Sequence, residues 1–587
     1  MFFHFSLLIA LRWGYEGALP LQTEKTDICQ LISICDENPV QYMESYNELN
    51  KKLTPVDVNI CQAELGKEWK TTSRLVFGGD VGELSDYKEW LIELNNPRFV
   101  KKSSISGVDT VFSSSEYFDD AKFMAMNEID INKKFEPLNI NEIKDMDSIV
   151  DAVQERIVYC GNVVLGNSKF VEKSSNVTNS FYVYDSVKVS DCKNIAYSQY
   201  LRLCENIFGT NEGGESKYCI RCCILFKNAR SFELWKSASC TDCYYSFGLD
   251  GCNDAIFSFN LQGKSNIIGN LQLPKDKFQE IKKKLLSEMR KELIKNKKLP
   301  SLVDLVSKEP VDLGGIETGR KRTDDETNND RSVVDSAFGK TSELLLNKKL
   351  PEKMEDYDLW LKSHIVVPYS VKSVLSKKPV QLSEWPGLAQ LPKNRIVTLK
   401  EARELAKIAI TIEQAEKLDL ANAPEQLGKI AYFPPEEMTG TNTNLIECQW
   451  GSSAANCYRS VICVYSKNCG YCSWPRSSEN CFGCGIVFDS NFSMKCYDSV
   501  KLSRCFEVDS CSSCTDVYFS HNCENVRDSM FCFNVKNLKT AIGNFSLQPE
   551  SYKKIKTMLQ NQIYDELQSK KSLKWNIFSL NRGDGSD

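Results

Sequence analysis

Histidine is almost missing from this chain: 587 residues contain three, His4, His364 and His521. None stands in an HExxH pair or a nucleophile motif, which removes the common zinc-hydrolase and histidine-activated readings. No phosphate loop is present either, because the Gly-rich stretch Gly209 to Gly214 is not followed by Lys-Ser/Thr. An insertion at a turn accounts for it. No apolar run is long enough to span a bilayer, and Phe5 to Leu11 lacks the basic flank of a secretory leader. A net charge of −5 gives no global attraction for nucleic acid. The basic clusters Lys282 to Lys284 and Lys295 to Lys298 lie on or beside an amphipathic helix and read as its solvated face. The expectation is a cytoplasmic protein without enzymatic activity, nucleic-acid partner or membrane span.

Cysteine, by contrast, is plentiful, with 25 residues. From Cys496, steps of three give Ser499, Leu502, Cys505, Val508, Cys511, Cys514, Val517, Ser520, Cys523, Val526, Ser529 and Cys532. The same beat runs from Val183 through Ser186, Val189, Cys192, Ile195, Ser198, Leu201 and Cys204. Helices bury a face every 3.6 residues and strands every 2, so neither holds a period of three over such a length. A narrow β-solenoid does. Short extended segments meet at tight corners, each sends one slim side chain inward, and successive turns stack through backbone hydrogen bonds.

The two stretches align without a gap at a shift of 274, as Lys193-Asn194 against Lys467-Asn468, Phe208-Gly209 against Phe482-Gly483 and Cys240-Thr241-Asp242 against Cys514-Thr515-Asp516 show. The match continues into a helix with one apolar stripe, Phe278, Ile281, Leu285, Met289 and Leu293 against Tyr552, Ile555, Leu559, Ile563 and Leu567. Upstream, Tyr87 to Leu91 recurs as Tyr357 to Leu361. The fold class is therefore mixed α/β, with tandem-duplicated narrow parallel β-solenoid units, each carrying a mixed α/β head and a C-terminal amphipathic helix. The boundaries read as an N-terminal segment 1–60, head 61–160, solenoid 161–273, capping helix 274–298, linker 299–342, head 343–444, solenoid 445–547, and capping helix with tail 548–580. Ile140 to Ile157 reads as a helix, and Thr398 with Glu401 opens another that runs to about Leu418. The Arg582-Gly583-Asp584 tail reads as loose chain.

Cys469-x-x-Cys472 is followed twelve residues later by Cys481-x-x-Cys484. If a turn takes twelve residues, Cys469, Cys472, Cys481 and Cys484 stack as a square, a set that suits zinc, an iron–sulfur cluster or two disulfides. Inert core packing is the competing reading, because cysteine fills space as a small hydrophobe and the first unit has Ile195, Ser198, Ile207 and Thr210 in those places. Turn length stays open. Columns are most uniform at nine, which would be half of an eighteen-residue turn, while twelve still superposes Cys457 on Cys469 and Cys240 on Cys252.

The inward rhythm resembles, in spacing only, the twelve-residue turns of tight β-helical insect antifreeze proteins. Their Thr-x-Thr ice face is not matched, since the outward residues here are mostly Tyr, Phe, Lys, Asp, Glu and Asn. The segment from Cys505 to Cys511, with Asn522-Cys523 and Phe531-Cys532, resembles cysteine-rich repeat proteins of uncultivated bacteria and archaea. That likeness covers both solenoids and their helices and implies fold without activity. The function expected is a structural or interaction scaffold for a protein partner or for copies of itself, with no cofactor. Outward aromatics, namely Tyr182, Tyr184, Tyr244, Tyr245, Phe506, Tyr518, Phe519, Phe531 and Phe533, would either anchor that partner or cover a neighbouring head or helix. The alternative is a metal- or redox-active protein built on the four-cysteine square. A carbohydrate-active solenoid would need a groove of carboxylates and aromatics.

Overall fold

The computed structural model describes residues 56–130, 133, 135–307, 330–351, 353–488, 490–497, 505–507, 509 and 514–581. The chain divides into two compact units after Asp57, and both stacks, with their heads and closing helices, belong to the second unit. The leader question, Cys29, Cys35, Cys511, the charged part of the linker at 308–329 and the Arg-Gly-Asp tail lie outside the described residues.

The three-residue beat has a backbone cause. The residue before each inward position is left-handed, among them Asn176, Asp185, Asp191, Asn194 and Asn206 in the first half and Asn444, Asn456, Asn468 and Asn480 in the second, with φ from +51° to +58°. A left-handed residue turns the chain sharply, and Asn and Asp tolerate it best because their short polar side chains bond locally. Each corner thus returns the next side chain to the interior. The four-residue strands Lys193–Ala196, Gln199–Arg202 and Glu205–Phe208 each carry one such left-handed residue, Asn194, Tyr200 or Asn206, at the second position.

Along the stack, strands pair in parallel with those twelve residues on: Lys193 with Glu205, Ile195 with Ile207, Gln199 with Asn211. The fold is mixed α/β around a sheet of sixteen strands, in which the order runs out to Cys223–Phe226, doubles back through the ten-residue strand Ala229–Ala238, and returns to Lys169–Glu172. Its two arms enclose an interior of Val183, Cys192, Ile195, Cys204, Cys219, Cys243 and their like. All pairings are parallel except that of the terminal strand Leu271–Gln272. The second half keeps the same offset, Lys467 with Glu479, Gly470 with Phe482, and Thr515–Tyr518 with Arg527–Met530. Of nine, twelve and eighteen, the backbone ladder takes twelve.

Elements recur between the halves. The hairpin Phe99–Lys102 with Asp109–Phe112 is repeated as Tyr369–Lys372 with Pro379–Leu382. The helix Lys275–Asn296 is repeated as Pro549–Lys570, each ending on a left-handed lysine, Lys297 or Lys571. The apolar stripes expected on these helices are buried on both.

Three expectations need correction. The helix expected from Ile140 to Ile157 is confined to Met146–Val153, started by Asp145, whose side chain accepts from Ser148 N. The helix opened by Thr398 stops at Leu405, and a second capping box, Thr411 with Gln414, starts Ile412–Lys417. The β-branched Ile408, Ile410 and Thr411 between them favour the break. The segment 299–342 carries Leu302–Ser307 and the start of Ser332–Leu346, whose apolar sides are buried.

The cores are exchanged between halves. Phe433, from the second half, packs its ring 4.9 Å from Phe247 and 6.1 Å from Phe259 at the end of the first stack. Beside it Asn260 donates to Tyr432 O (2.9 Å), and Ile410 N donates to Gly269 O (3.0 Å). The reciprocal arrangement places Tyr159, from the first half, 5.4 Å from His521 and 5.9 Å from Phe533, with Asn534 donating to Val158 O (2.8 Å). Every partner in the second set stands 274 positions from its counterpart in the first. Each stack is closed by chain belonging to the other half.

Candidate functional site

The inward positions do more than fill space. Ser186 Oγ donates to Tyr184 O (2.8 Å) and accepts from Ser198 N, one turn on, at 3.0 Å. Ser198 does the same for Thr210 N, and Thr210 for Cys222 N. These corner amides have no strand partner, so the hydroxyl satisfies a group that would otherwise be buried bare. Cysteine substitutes: Cys192 Sγ donates to Ser190 O and accepts from Cys204 N at 3.3 Å.

All the described cysteines are buried, and none is joined to another by a disulfide. Cys469, Cys472, Cys481 and Cys484 come together as the twelve-residue spacing requires. The four share one buried cluster with Cys457 and Cys496. Each of the four also lies 3.2 to 3.8 Å from two backbone carbonyl oxygens. The bond from Cys457, with those from Cys472 and Cys481, holds Cys469 below the usual thiol range, whereas burial pushes Cys472 up. Among the described residues, no group of three or more His, Cys, Asp or Glu side chains has the arrangement to hold a metal ion. As found, the cluster is a set of thiols sharing their hydrogens with the backbone.

Two sets of buried charged residues were invisible to the cysteine pattern. Arg221 Nε meets Glu233 Oε1 at 2.9 Å, both side chains fully buried. Glu233 Oε2 accepts from Trp235 Nε1 and Leu302 N, each at 2.9 Å, and the guanidinium lies 4.9 Å from the Trp90 ring and donates to Trp90 O. In the second half Lys495 takes the place of Arg221 and Glu507 that of Glu233, again at a shift of 274. Lys495 Nζ donates to Trp360 O (2.7 Å) and Ser363 Oγ (2.6 Å), 5.6 Å from the Trp360 ring. Tyr497 donates to Glu507 Oε1 at 3.2 Å. Each cation thus clamps the Trp-Leu helix of a head to the stack beneath. Burial pushes Lys495 down to about 8 and Glu507 up to about 7. The signal was available, since charges at matching positions of both repeats are marked by the alignment itself.

His521 is fully engaged. Its Nδ1 meets Asp509 Oδ2 at 2.7 Å, Tyr117 donates to that same oxygen at 2.5 Å, and Cys160 N donates to Nε2 at 2.8 Å. Because Nε2 accepts, the ring is the neutral tautomer with its proton on Nδ1. This is a closed brace, with no free lone pair to act as a base. His364 pairs through Nδ1 with Glu116 Oε2 at 2.8 Å, on the rim of a 200 Å³ cleft between halves that Tyr200, Trp385, Tyr497 and Phe578 also line. The hydrogen bond from His364 holds the Glu116 carboxyl below its ordinary range.

The outward aromatics divide. Tyr244, Tyr245, Phe506, Tyr518, Phe519, Phe531 and Phe533 are at most 1 % exposed, covered by heads and helices: Tyr518 donates to Leu345 O at 2.8 Å and Tyr245 to Pro300 O at 2.9 Å. Tyr182 and Tyr184 remain half-buried. Seven of the nine cannot anchor a partner without unfolding their cover. No helix among the described residues is long and apolar enough to cross a membrane. Comparison of the chain with protein-family models, curated proteins and solved structures finds no match.

Proposed function

We propose that the chain is a structural or interaction scaffold: two narrow parallel β-solenoids, products of a tandem duplication, locked together and presenting rigid faces to copies of the chain or to a protein partner. The observation that carries this reading is the reciprocal exchange, in which Phe433 closes the first stack and Tyr159 the second. Neither stack can loosen without disturbing both halves, which suits a load-holding body better than a moving one. The open corners of the first stack offer contact points, Leu203 at 49 % and Phe226 at 44 % exposure, on a face otherwise lined by pairs such as Lys217 with Glu205. Light scattering of the full chain over a concentration series tests self-assembly. Association that L203D and F226D abolish supports the reading; a strict monomer at high concentration refutes its self-assembly form.

A second reading, a zinc or iron–sulfur protein using Cys469, Cys472, Cys481 and Cys484, rests on the gathering of these four thiols in one buried cluster. Stoichiometric zinc or iron in protein purified without oxygen, lost on Cys472→Ser, would establish it; metal-free protein with unchanged stability would exclude it. The free thiols of the described cysteines suit a reducing compartment such as the cytoplasm.

A further inference from the structure

A cavity of about 490 Å³ opens where the end of the first stack meets the helix Leu399–Leu405 of the second half. Five charged side chains line it: Lys236, Lys264, Arg403, Lys407 and Glu437. Lys236, buried at the floor, donates to Pro434 O at 2.7 Å and pairs with Glu437 at 3.2 Å. Lys407 pairs with Glu404 outside the cavity. Lys264 and Arg403 are exposed, and among the described residues no ion pair or hydrogen bond engages either head group. Two positive charges are left lining one half-open cavity.

Comparing the halves separates what the architecture needs from what this site adds. Asn260 and Asn270 line the cavity and have counterparts 274 positions on, Asn534 and Asn544. Those pairs make the same bonds: Asn270 accepts from Phe259 N at 2.7 Å and Asn544 from Phe533 N at 2.8 Å. The amides therefore serve the fold. Lys236 and Lys264 do not recur, because Ser510 and Leu538 occupy their places. A buried lysine is costly unless paired, and nothing in the repeated fold calls for one here.

We propose that this cavity is a binding site for a small organic dianion of the phosphate-monoester class. Arg403 offers a forked guanidinium to the phosphoryl oxygens and Lys264 a second point charge, while Lys236 stays engaged by Glu437 and Pro434 O. The volume exceeds that of a bare phosphate, and Leu261, Ile267 and Leu399 supply an apolar wall for the organic part.

Titration calorimetry of the full chain with phenyl phosphate, inorganic phosphate and benzenesulfonate tests this. Saturable binding is expected in the order phenyl phosphate, phosphate, benzenesulfonate, weakening as salt rises. R403Q and K264Q should each weaken phenyl phosphate about tenfold, with an unchanged melting temperature because both side chains are exposed. K536Q, on the second stack where Gln262 stands in the first, should bind as the parent does. No saturable heat, an R403Q/K264Q double variant that binds like the parent, or benzenesulfonate binding as tightly as phenyl phosphate would each overturn the proposal.

Discussion

Replacing Glu233 by Gln and Glu507 by Gln removes the same carboxylate from the two halves, yet the consequences should differ. Glu233 neutralises Arg221 at 2.9 Å with both groups fully buried. A guanidinium does not give up its proton, so E233Q strands a charge whose remaining partner, Glu93, is half exposed. Breaking such a pair from one side costs about 3–5 kcal/mol. Lys495, with its pKa already near 8, has an escape: without Glu507 it sheds the proton and, as a neutral amine, still donates to Trp360 O and Ser363 Oγ. At pH 9 E507Q should then cost no more than about 1 kcal/mol, rising by about 1.4 kcal/mol per unit as pH falls below the lysine's pKa. Urea unfolding followed by tryptophan fluorescence at pH 7 and pH 9 measures both. E233Q should be equally destabilised at the two pH values, and E507Q should show no comparable loss at pH 9. Equal losses in both variants at pH 9 would refute the equivalence drawn between the two clamps.

The same pair gives the parent protein a pH profile. Glu507 rises from 4.5 to about 7 on folding, so its contribution is full below 4.5 and fades as pH climbs to 7; Lys495 falls from 10.5 to about 8, so its contribution is full above 10.5 and fades as pH drops to 8. Each is worth about 3 kcal/mol, and denaturation midpoints should pass through a minimum between pH 7 and 8 that the E507L/K495M double variant flattens. Gly209→Ala should undock the first head, because φ is +66° and a Cβ would stand 2.6 Å from Leu91 O, whereas Gly251→Ala, at φ +59° with open space around it, should cost only about 1 kcal/mol; melting temperatures compare them. Ser460→Ala removes the acceptor of Cys472 N (3.2 Å) and should cost about 1–3 kcal/mol, with Ser460→Cys recovering most of it as Cys192 does elsewhere. Phe433→Ala should speed hydrogen exchange at 247–268, in the other half, by about 3 kcal/mol of lost packing, and an effect confined to residues near 433 would contradict the exchange.

The beat of Cys, Ser and Val was legible because the interior admits only slim side chains that can also satisfy a corner amide. The proximity of Cys469, Cys472, Cys481 and Cys484 followed from that beat once a turn of twelve was entertained. The turn length itself was not readable, since nine, twelve and eighteen are all multiples of three. Asparagines preceding inward residues, as at Asn456 and Asn468, were a corner signal that the three-residue pattern alone did not expose. The break after Leu405 was missed because apolar spacing carried through Ile408 and Ile410, where β-branched residues and a new capping box outweighed it.

Sequence alone determined the local rule: a left-handed corner, a short extended step, a slim inward side chain, applied in both halves because neighbouring residues suffice to enforce it. Only the tertiary structure decided what covers what. Whether Phe506 or Tyr244 meets solvent, whether Arg221 finds Glu233, and whether Phe433 closes its own stack or the other one depend on the path of chain segments hundreds of residues apart. Packing and charge compensation select that path globally, and no spacing within one segment encodes it.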